Sequence, residues 1–332
     1  MISKITVDQI AHGTGLNSRF LYLLSNHISD YYRIHRIPKK NGKFRTIEAP
    51  APVLKRIQRY ILRWILPQNL PYSLSERGDT VDILKQNGIP FHYRDLPEIL
   101  SAATAFEPGC SIRKNAEVHC GKPVVISLDV KNFFPSLRYG LVRSLFQQFV
   151  NDDGMAVMLA NFCTLNGHLP QGAVTSPHIS NLLMHDFDVS LRQYCLSHNL
   201  TFTRYADDLT FSGDPADEEI TGLIRCCKQN LAGLGLRLNH EKIRIQRQGM
   251  RQEVTGIVVN AKTGVPREAR RRLRQQMYYL NKHWEHEWRK LDEHTLNVML
   301  GQANFIWDMD RDNPEFCEYR KQLLEIKHYY HR

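Results

Sequence analysis

The sequence is short of the features that would place it in a specialised class. Its seven cysteines are odd in number, include no CxxC pair, and two of them, Cys226 and Cys227, are adjacent. That pattern argues against a disulfide framework or a zinc ribbon and makes the reducing cytoplasm the expected location. No apolar run reaches membrane-spanning length, and Met1-Ile2-Ser3-Lys4-Ile5 lacks the apolar centre of a signal peptide, so no membrane partner is expected. There is no internal repeat, low-complexity tract or long Gly/Ser linker, which excludes solenoids and beads-on-a-string architectures. Acid is the scarcer charge: 34 Asp and Glu against 44 Lys and Arg leave a net +10 over 332 residues.

What is present is an ordinary globular composition, 42% hydrophobic and 23% charged, long enough for two or three subdomains. The excess positive charge is clustered. Arg33 to Arg63 holds ten Lys/Arg and one acid, Glu48, and a second cluster comprises Arg267, Arg270, Arg271, Arg272 and Arg274. Clustering of this kind favours a polyanionic partner over a uniformly solvated surface.

Residues 3–27 read as two short helices, the second capped at Asn17-Ser18. Residues 31–48 read as a hairpin turning at Asn41-Gly42. Residues 53–66 read as a helix with Val53, Leu54, Ile57, Tyr60, Ile61, Trp64 and Ile65 on an apolar face, and Lys55, Arg56, Arg59 and Arg63 on a phosphate-facing one. Pro67, Pro71, Pro90 and Pro97 punctuate 67–110, which reads as irregular and without an assignable role. Val124–Leu128 reads as a buried strand passing into a helix near 135–149. A helix begins at Ser176-Pro177 and runs to about Ser197. Thr201–Ser212 reads as a hairpin whose turn holds Asp207-Asp208, and 217–234 as a helix stopping at Gly235. Leu236–Ile245 and Glu253–Asn260 read as strands, with helices after Pro266. The class expected is α+β with a helical C-terminal module.

Two acidic positions stand out. Asp129 closes the strand Val124-Val125-Ile126-Ser127-Leu128, and Asp207-Asp208 lies between two β-like runs. An Asp-Asp turn alone is usually only a turn. Strand ends of one sheet, however, bring such carboxylates together, and three like charges stay ionised side by side only if a cation neutralises them. Hard oxygen ligands with open positions suit Mg²⁺ shared with substrate phosphates, the arrangement for two-metal phosphoryl transfer.

Tyr205-Ala206-Asp207-Asp208 resembles the metal-binding hairpin of reverse transcriptases. Ser127-Leu128-Asp129-Val130-Lys131-Asn132-Phe133-Phe134-Pro135-Ser136 resembles their first catalytic-aspartate motif, and Leu169-Pro170-Gln171-Gly172-Ala173-Val174-Thr175-Ser176-Pro177 their nucleotide-pocket motif. All three occur in the family's order, and the resemblance covers residues 31–260. Asn115-Ala116-Glu117-Val118-His119 and Val254-Thr255-Gly256 match two motifs of the bacterial retron subgroup, and the chain ends about where a retron enzyme is expected to end. The stretch 67–105 is longer than the usual fingers segment.

The resemblance implies a right-hand polymerase: an N-terminal helical segment (1–30), fingers (31–122, with 67–105 inserted), a palm of antiparallel sheet plus helices (123–262, with a helical connection at 138–168) and a helical, RNA-binding thumb (263–332). It implies that Asp129, Asp207, Asp208 and the Val130 carbonyl hold two Mg²⁺, with Mn²⁺ as a substitute, and that Lys242 protonates pyrophosphate. It implies a nucleotide pocket of Phe134, Gln171 and Gly172, with Lys39, Lys40 and Arg45 clamping the triphosphate. Arg45 is favoured among these because a guanidinium binds phosphate bidentately. Lys55, Arg56, Arg59, Arg63, Asn115, His119, Arg267, Arg270, Arg271 and Arg274 are expected to face RNA, alongside Tyr278, Tyr279, Trp284 and Trp288. Val254, Thr255 and Gly256 are expected to support the primer end. The implied activity is RNA-directed DNA synthesis from dNTPs on a cognate non-coding RNA, giving RNA-linked single-stranded DNA, with a separately encoded effector protein in antiphage defence. The rivals are another bacterial reverse transcriptase (group II intron-like, CRISPR-associated or diversity-generating), an RNA-dependent RNA polymerase, and a nucleic-acid-binding scaffold.

Overall fold

The computed structural model describes residues 5–38, 42, 44–68, 72–282 and 292–330. The chain forms two compact units: Met1–Cys110 with Ile126–Arg244, and Ser111–Val125 with Ile245–Arg332.

The first unit opens with helices α1 (Val7–Thr14) and α2 (Ser18–Asn26), capped by Thr6 and Asn17. Strands β1 (Tyr32–Pro38) and β2 (Phe44–Pro50) form the expected hairpin, in register from Tyr32↔Pro50 to Pro38↔Phe44. Helix α3 (Pro52–Trp64) buries Leu54, Ile57 and Ile61 at helical spacing. Trp64 departs from the expected apolar face: it is 66% exposed, with the Arg63 guanidinium over its ring. It occupies the last turn of the helix, and Ile65 and Leu66 are buried just beyond it.

The stretch read as irregular is instead helical. Helix α4 (Leu74–Gln86) starts at a reciprocal capping box, in which the Ser73 hydroxyl accepts from the Glu76 amide and the Glu76 carboxylate accepts from the Ser73 amide. Helix α5 (Leu96–Leu100) follows. Val81, Leu84 and Leu96 form a small core with Ile89, Phe91, Ile99 and Leu196. Only Thr80, Val81 and Leu84 of α4 point inward, so its periodicity was too sparse to read.

Strand β3 (Val124–Asp129) leads to a short helix, α7 (Phe133–Ser136), then α8 (Tyr139–Gln147) and α9 (Asp153–Cys163); α6 (Ile112–Glu117) belongs to the second unit. The helix expected from Ser176 to Ser197 is two, α10 (Ser176–Leu183) and α11 (His185–Ser197), separated at Met184. Strands β4 (Thr201–Tyr205) and β5 (Asp208–Gly213) pair antiparallel, and β5 neighbours β3 in the sheet. Helix α12 (Asp217–Gly233) ends ahead of Gly235, which has φ +70°.

The two strands expected at 236–245 and 253–260 are replaced by shorter pieces. A 3-10 turn (His240–Lys242, still in the first unit) precedes β6 (Arg244–Arg247), and β7 (Glu253–Val254) pairs with β8 (Ile257–Val258). Thr255 and Gly256, with φ of +47° and +85°, make a two-residue hairpin turn rather than strand. The core joins Ala116, Val254, Ile257, Leu273, Met277, Leu296, Phe316 and Leu323, bringing together α6, helix α13 (Arg267–Lys282) and helices Glu293–Met309 and Pro314–Tyr330.

One buried ion pair marks the first unit. Arg204 of β4 is fully buried and makes two hydrogen bonds of 2.6–2.7 Å to Asp188 of α11. Removing one partner strands a charge in low dielectric. Asp188→Ala is therefore expected to lower the unfolding free energy by about 3–5 kcal/mol, read as a lower urea midpoint.

Candidate active site

Asp129 is the last residue of β3 and is 6% exposed. Its carbonyl accepts from the Asn239 amide at 2.7 Å, and its carboxylate accepts from Asn239 Nδ2 at 3.3 Å and from Lys242 Nζ at 2.5 Å. The next residue, Val130, is buried, bridges Leu238, and donates its N–H to the Asp207 carbonyl at 2.9 Å. This last bond ties the end of β3 to the β4–β5 turn. Tyr205 pairs with Asp208, so the turn residues are Ala206 and Asp207 rather than the two aspartates, and Asp208 begins β5. Ala206 has φ +57°, a conformation that costs a non-glycine residue about 1–2 kcal/mol.

The electrostatics follow from this convergence. The Asp207 carboxyl is raised above the ordinary carboxylate range, first by burial and further by the charge of Asp129, with Lys242 and Arg45 opposing. Asp208 is pushed up to about 6, by burial first and then by Asp207 and Asp129. The protein alone thus leaves these charges incompletely balanced, which is the condition a divalent cation relieves. The donor set, carboxylate oxygens open to one side at Asp208, fits a hard ion such as Mg²⁺. Among the described residues, the His/Cys/Asp/Glu group whose ligand atoms all lie within 4.8 Å is a different one, Glu76, His185 and Asp186. The ligand atoms of Asp129, Asp207 and Asp208 do not all lie within that distance of one another, and Asp129 is paired with Lys242. Glu76 is already engaged in the α4 cap.

The motif at 169–177 is docked on β2. The Glu48 amide donates to the Gln171 carbonyl at 2.9 Å, and the Gln171 amide to the Glu48 carboxylate at 3.2 Å. Gly172 has φ +139°, and a Cβ there would meet the Glu48 carbonyl oxygen at 2.8 Å. Buried Gln58 of α3 reinforces the dock, accepting from the Val174 amide and donating to the Phe162 carbonyl. Phe134 is half-buried, with ring centroids 5.4 Å from Phe133 and 6.3 Å from Phe106. Arg45 is exposed on β2 and bears electrostatically on Asp207. Lys39 and Lys40, like Trp284 and Trp288, lie outside the described residues.

The residues expected to face RNA divide. Arg59 and Arg63 are exposed, and Lys55 is half-buried. Arg56 is exposed but donates to the Thr14 carbonyl at 3.3 Å. In the second unit, Arg267 and Arg271 are exposed and Arg270 is half-buried. Arg274 is paired with Glu315 at 2.6–2.9 Å and lies over the Phe316 ring. Asn115 and His119 are fully buried within the second unit. The spacing Asn-x-x-x-His puts both inside the unit, and Asn115 Nδ2 donates to Thr255 Oγ1 at 3.4 Å. Val254 is buried as well, while Gly256 is exposed at the turn.

Sequence reasoning missed Asn239, Arg204 and Phe106. Asn239 lies three residues before Lys242, a spacing that points to nothing by itself. Phe106 has φ +66° and is 46% exposed, which no local pattern announces.

The first unit thus brings together an aspartate-tipped β-hairpin, a neighbouring strand-end aspartate and a Pro-Gln-Gly loop docked on β2. Residues 37–280 match the family model described as reverse transcriptase (RNA-dependent DNA polymerase). The chain belongs to that family, whose members generally use divalent metals, and has its α+β right-hand polymerase fold class. The resemblance to the retron subgroup also stands. The chain is 34% identical over 269 residues to the retron Mx65 reverse transcriptase of Myxococcus xanthus, covering 75% of this chain and 56% of that protein. It is 31% identical over 306 residues to the retron Mx162 reverse transcriptase of the same organism, covering 81% and 57%. It is 28% identical over 315 residues to the retron Ec83 reverse transcriptase of Escherichia coli, covering 90% and 88%. The chain thus spans a little over half the length of the two Myxococcus proteins. Among the described residues, no helix is long and apolar enough to cross a membrane.

Gly172→Ala tests the docked loop. The added methyl must displace backbone, so the variant is expected to lose about 1–3 kcal/mol and to show faster amide exchange at Glu48.

Proposed function

We propose that this protein is an RNA-directed DNA polymerase of the retron type, which copies part of a cognate structured non-coding RNA into RNA-linked single-stranded DNA. The observation that carries this reading is the Val130 amide bond to the Asp207 carbonyl, which brings Asp129 to the Asp207–Asp208 turn.

In this reading Asp129, Asp207, Asp208 and the Val130 carbonyl hold two Mg²⁺. When bound, the ions supply charge neutralisation at the attacking hydroxyl and at the pyrophosphate leaving group. The chain's own groups do the rest. Arg45, with Lys39 and Lys40, holds the triphosphate. Phe134 lies beneath the sugar and rejects a 2′-OH by steric contact, while Gln171 and Gly172 shape the pocket. Lys242 donates a proton toward pyrophosphate; its ammonium is raised by Asp129, Asp207 and Asp208 despite partial desolvation, so it arrives charged.

Fingers (31–122), palm (123–262) and thumb (263–332) are the subdomain assignment, after the helical segment 1–30. Lys55, Arg56, Arg59, Arg63, Arg267, Arg270 and Arg271 face RNA, and Val254-Thr255-Gly256 supports the primer end. Arg274 braces the thumb through Glu315, and Asn115 and His119 act as buried anchors. Resemblance to retron enzymes supports priming from a 2′-OH of an internal guanosine, a cytoplasmic setting, and a separately encoded effector in antiphage defence.

Purified protein with its RNA, Mg²⁺ and labelled dNTPs is expected to make cDNA, and Asp207→Asn to abolish synthesis. Persistent synthesis by that variant removes the metal assignment. Phe134→Ala is expected to raise ribonucleotide incorporation relative to deoxyribonucleotide by about 10-fold or more, scored by primer extension with mixed substrates. Unchanged discrimination would reject the role of Phe134.

A further inference from the structure

Arg204 lies three residues before Asp207 and is the largest fully buried side chain among the described residues. Its guanidinium is engaged on every side. Nε and Nη2 donate to the two Asp188 oxygens, and Nη1 donates to Asn181 Oδ1 at 3.1 Å and to the Ala206 carbonyl at 3.2 Å. Ala206 is the positive-φ residue of the aspartate turn. Asn181 in turn donates to the Ala105 carbonyl at 2.9 Å and to Glu107 Oε1 at 2.6 Å.

The backbone at the same residue is clamped too. The Arg204 amide donates to the Ala102 carbonyl at 2.7 Å, and the Thr104 amide donates to the Arg204 carbonyl at 2.8 Å. Two residues earlier, Arg192 bridges the Ile99 and Phe202 carbonyls at 2.6 and 2.5 Å. The segment from Ile99 to Ala105, which the sequence left without a role, therefore braces β4 along the edge opposite β5.

A core needs no such construction. Desolvating a guanidinium and a carboxylate costs as much as their attraction returns, so apolar residues of similar volume would serve stability as well. What apolar residues cannot do is hold a carbonyl oxygen in a strained turn. We propose that Arg204 is a positioning residue: anchored by Asp188 and Asn181 and braced by Ile99–Ala105, it fixes the Ala206 carbonyl and thereby the place of the Asp207 carboxylate. This deepens the polymerase reading of the site and rests on it for its catalytic consequence, though not for its consequence for ion binding.

The test compares the full chain with Arg204→Lys and with the double variant Arg204→Met/Asp188→Leu, which removes the network without stranding a charge. Mn²⁺ binding is followed by electron paramagnetic resonance, and single-nucleotide extension is followed against Mg²⁺ and dNTP concentration. The double variant is expected to melt near the wild type, to bind Mn²⁺ about 10-fold more weakly, and to lose about 100-fold in kcat, the size of effect that a misplacement of about 1 Å produces. The dNTP KM is expected to stay within about twofold, since binding contacts are untouched. Wild-type Mn²⁺ affinity and kcat in either folded variant would overturn the proposal, and so would failure of both variants to fold, which assigns the network to stability alone. A wild-type chain that binds Mn²⁺ but extends no primer would instead reject the polymerase reading, and the Mn²⁺ comparison would still decide the role of Arg204.

Discussion

Three carboxylates at the end of one sheet repel one another, and the surrounding first unit is arranged to hold them there. Asp129 is held by backbone and side-chain bonds from Asn239 and by the Lys242 ammonium. Asp207 is held through its carbonyl by Val130 and is reached electrostatically by Arg45. The Asp207 and Asp208 carboxyls are raised by burial first and then by the charges of their neighbours in the cluster. Buried, like-charged carboxylates of this kind are the setting that a divalent ion relieves.

The elements around the triad make sense as supports for it. The Gln171–Gly172 loop is joined to β2 by reciprocal bonds with Glu48, so the loop and the basic hairpin form one assembly. On the other side, the brace at 99–105 and the buried Arg204 network determine where the β4–β5 turn points. The second unit has its own core, in which the Asn115 amide bonds to the Thr255 hydroxyl in a two-residue turn. Two motifs far apart in the chain, read separately from the sequence, are thereby one local structure.

The parts of the fold legible in advance were those with strong short-range signals. The β1–β2 hairpin was carried by Asn-Gly, α3 by its apolar spacing, and the end of α12 by Gly235. Helices α4 and α5 were hidden because Pro71, Pro90 and Pro97 interrupt the local pattern and few residues of α4 face inward, although Ser73-x-x-Glu76 carried a capping signal. The break at Met184 and the one-residue shift of the aspartate turn were invisible because both depend on which residues pair across space. Trp64 was misplaced for a similar reason: helical periodicity gives an angle around the axis and says nothing of where the neighbouring surface stops.

By itself the sequence determined the chemistry on offer: which residues bear carboxylates, which stretches bear the positive charge, and the order of motifs that marks a reverse transcriptase. These are properties of residue type and spacing, which survive without coordinates. Only the tertiary structure decided which charges meet, that Lys242 and Asn239 both serve Asp129, that Arg274 belongs to Glu315, and that Asn115 and His119 lie inside. Those outcomes depend on contacts between residues up to 140 positions apart, Asn115 and Thr255 among them. Burial and Coulomb attraction act through distance in space, on which distance along the chain has no bearing.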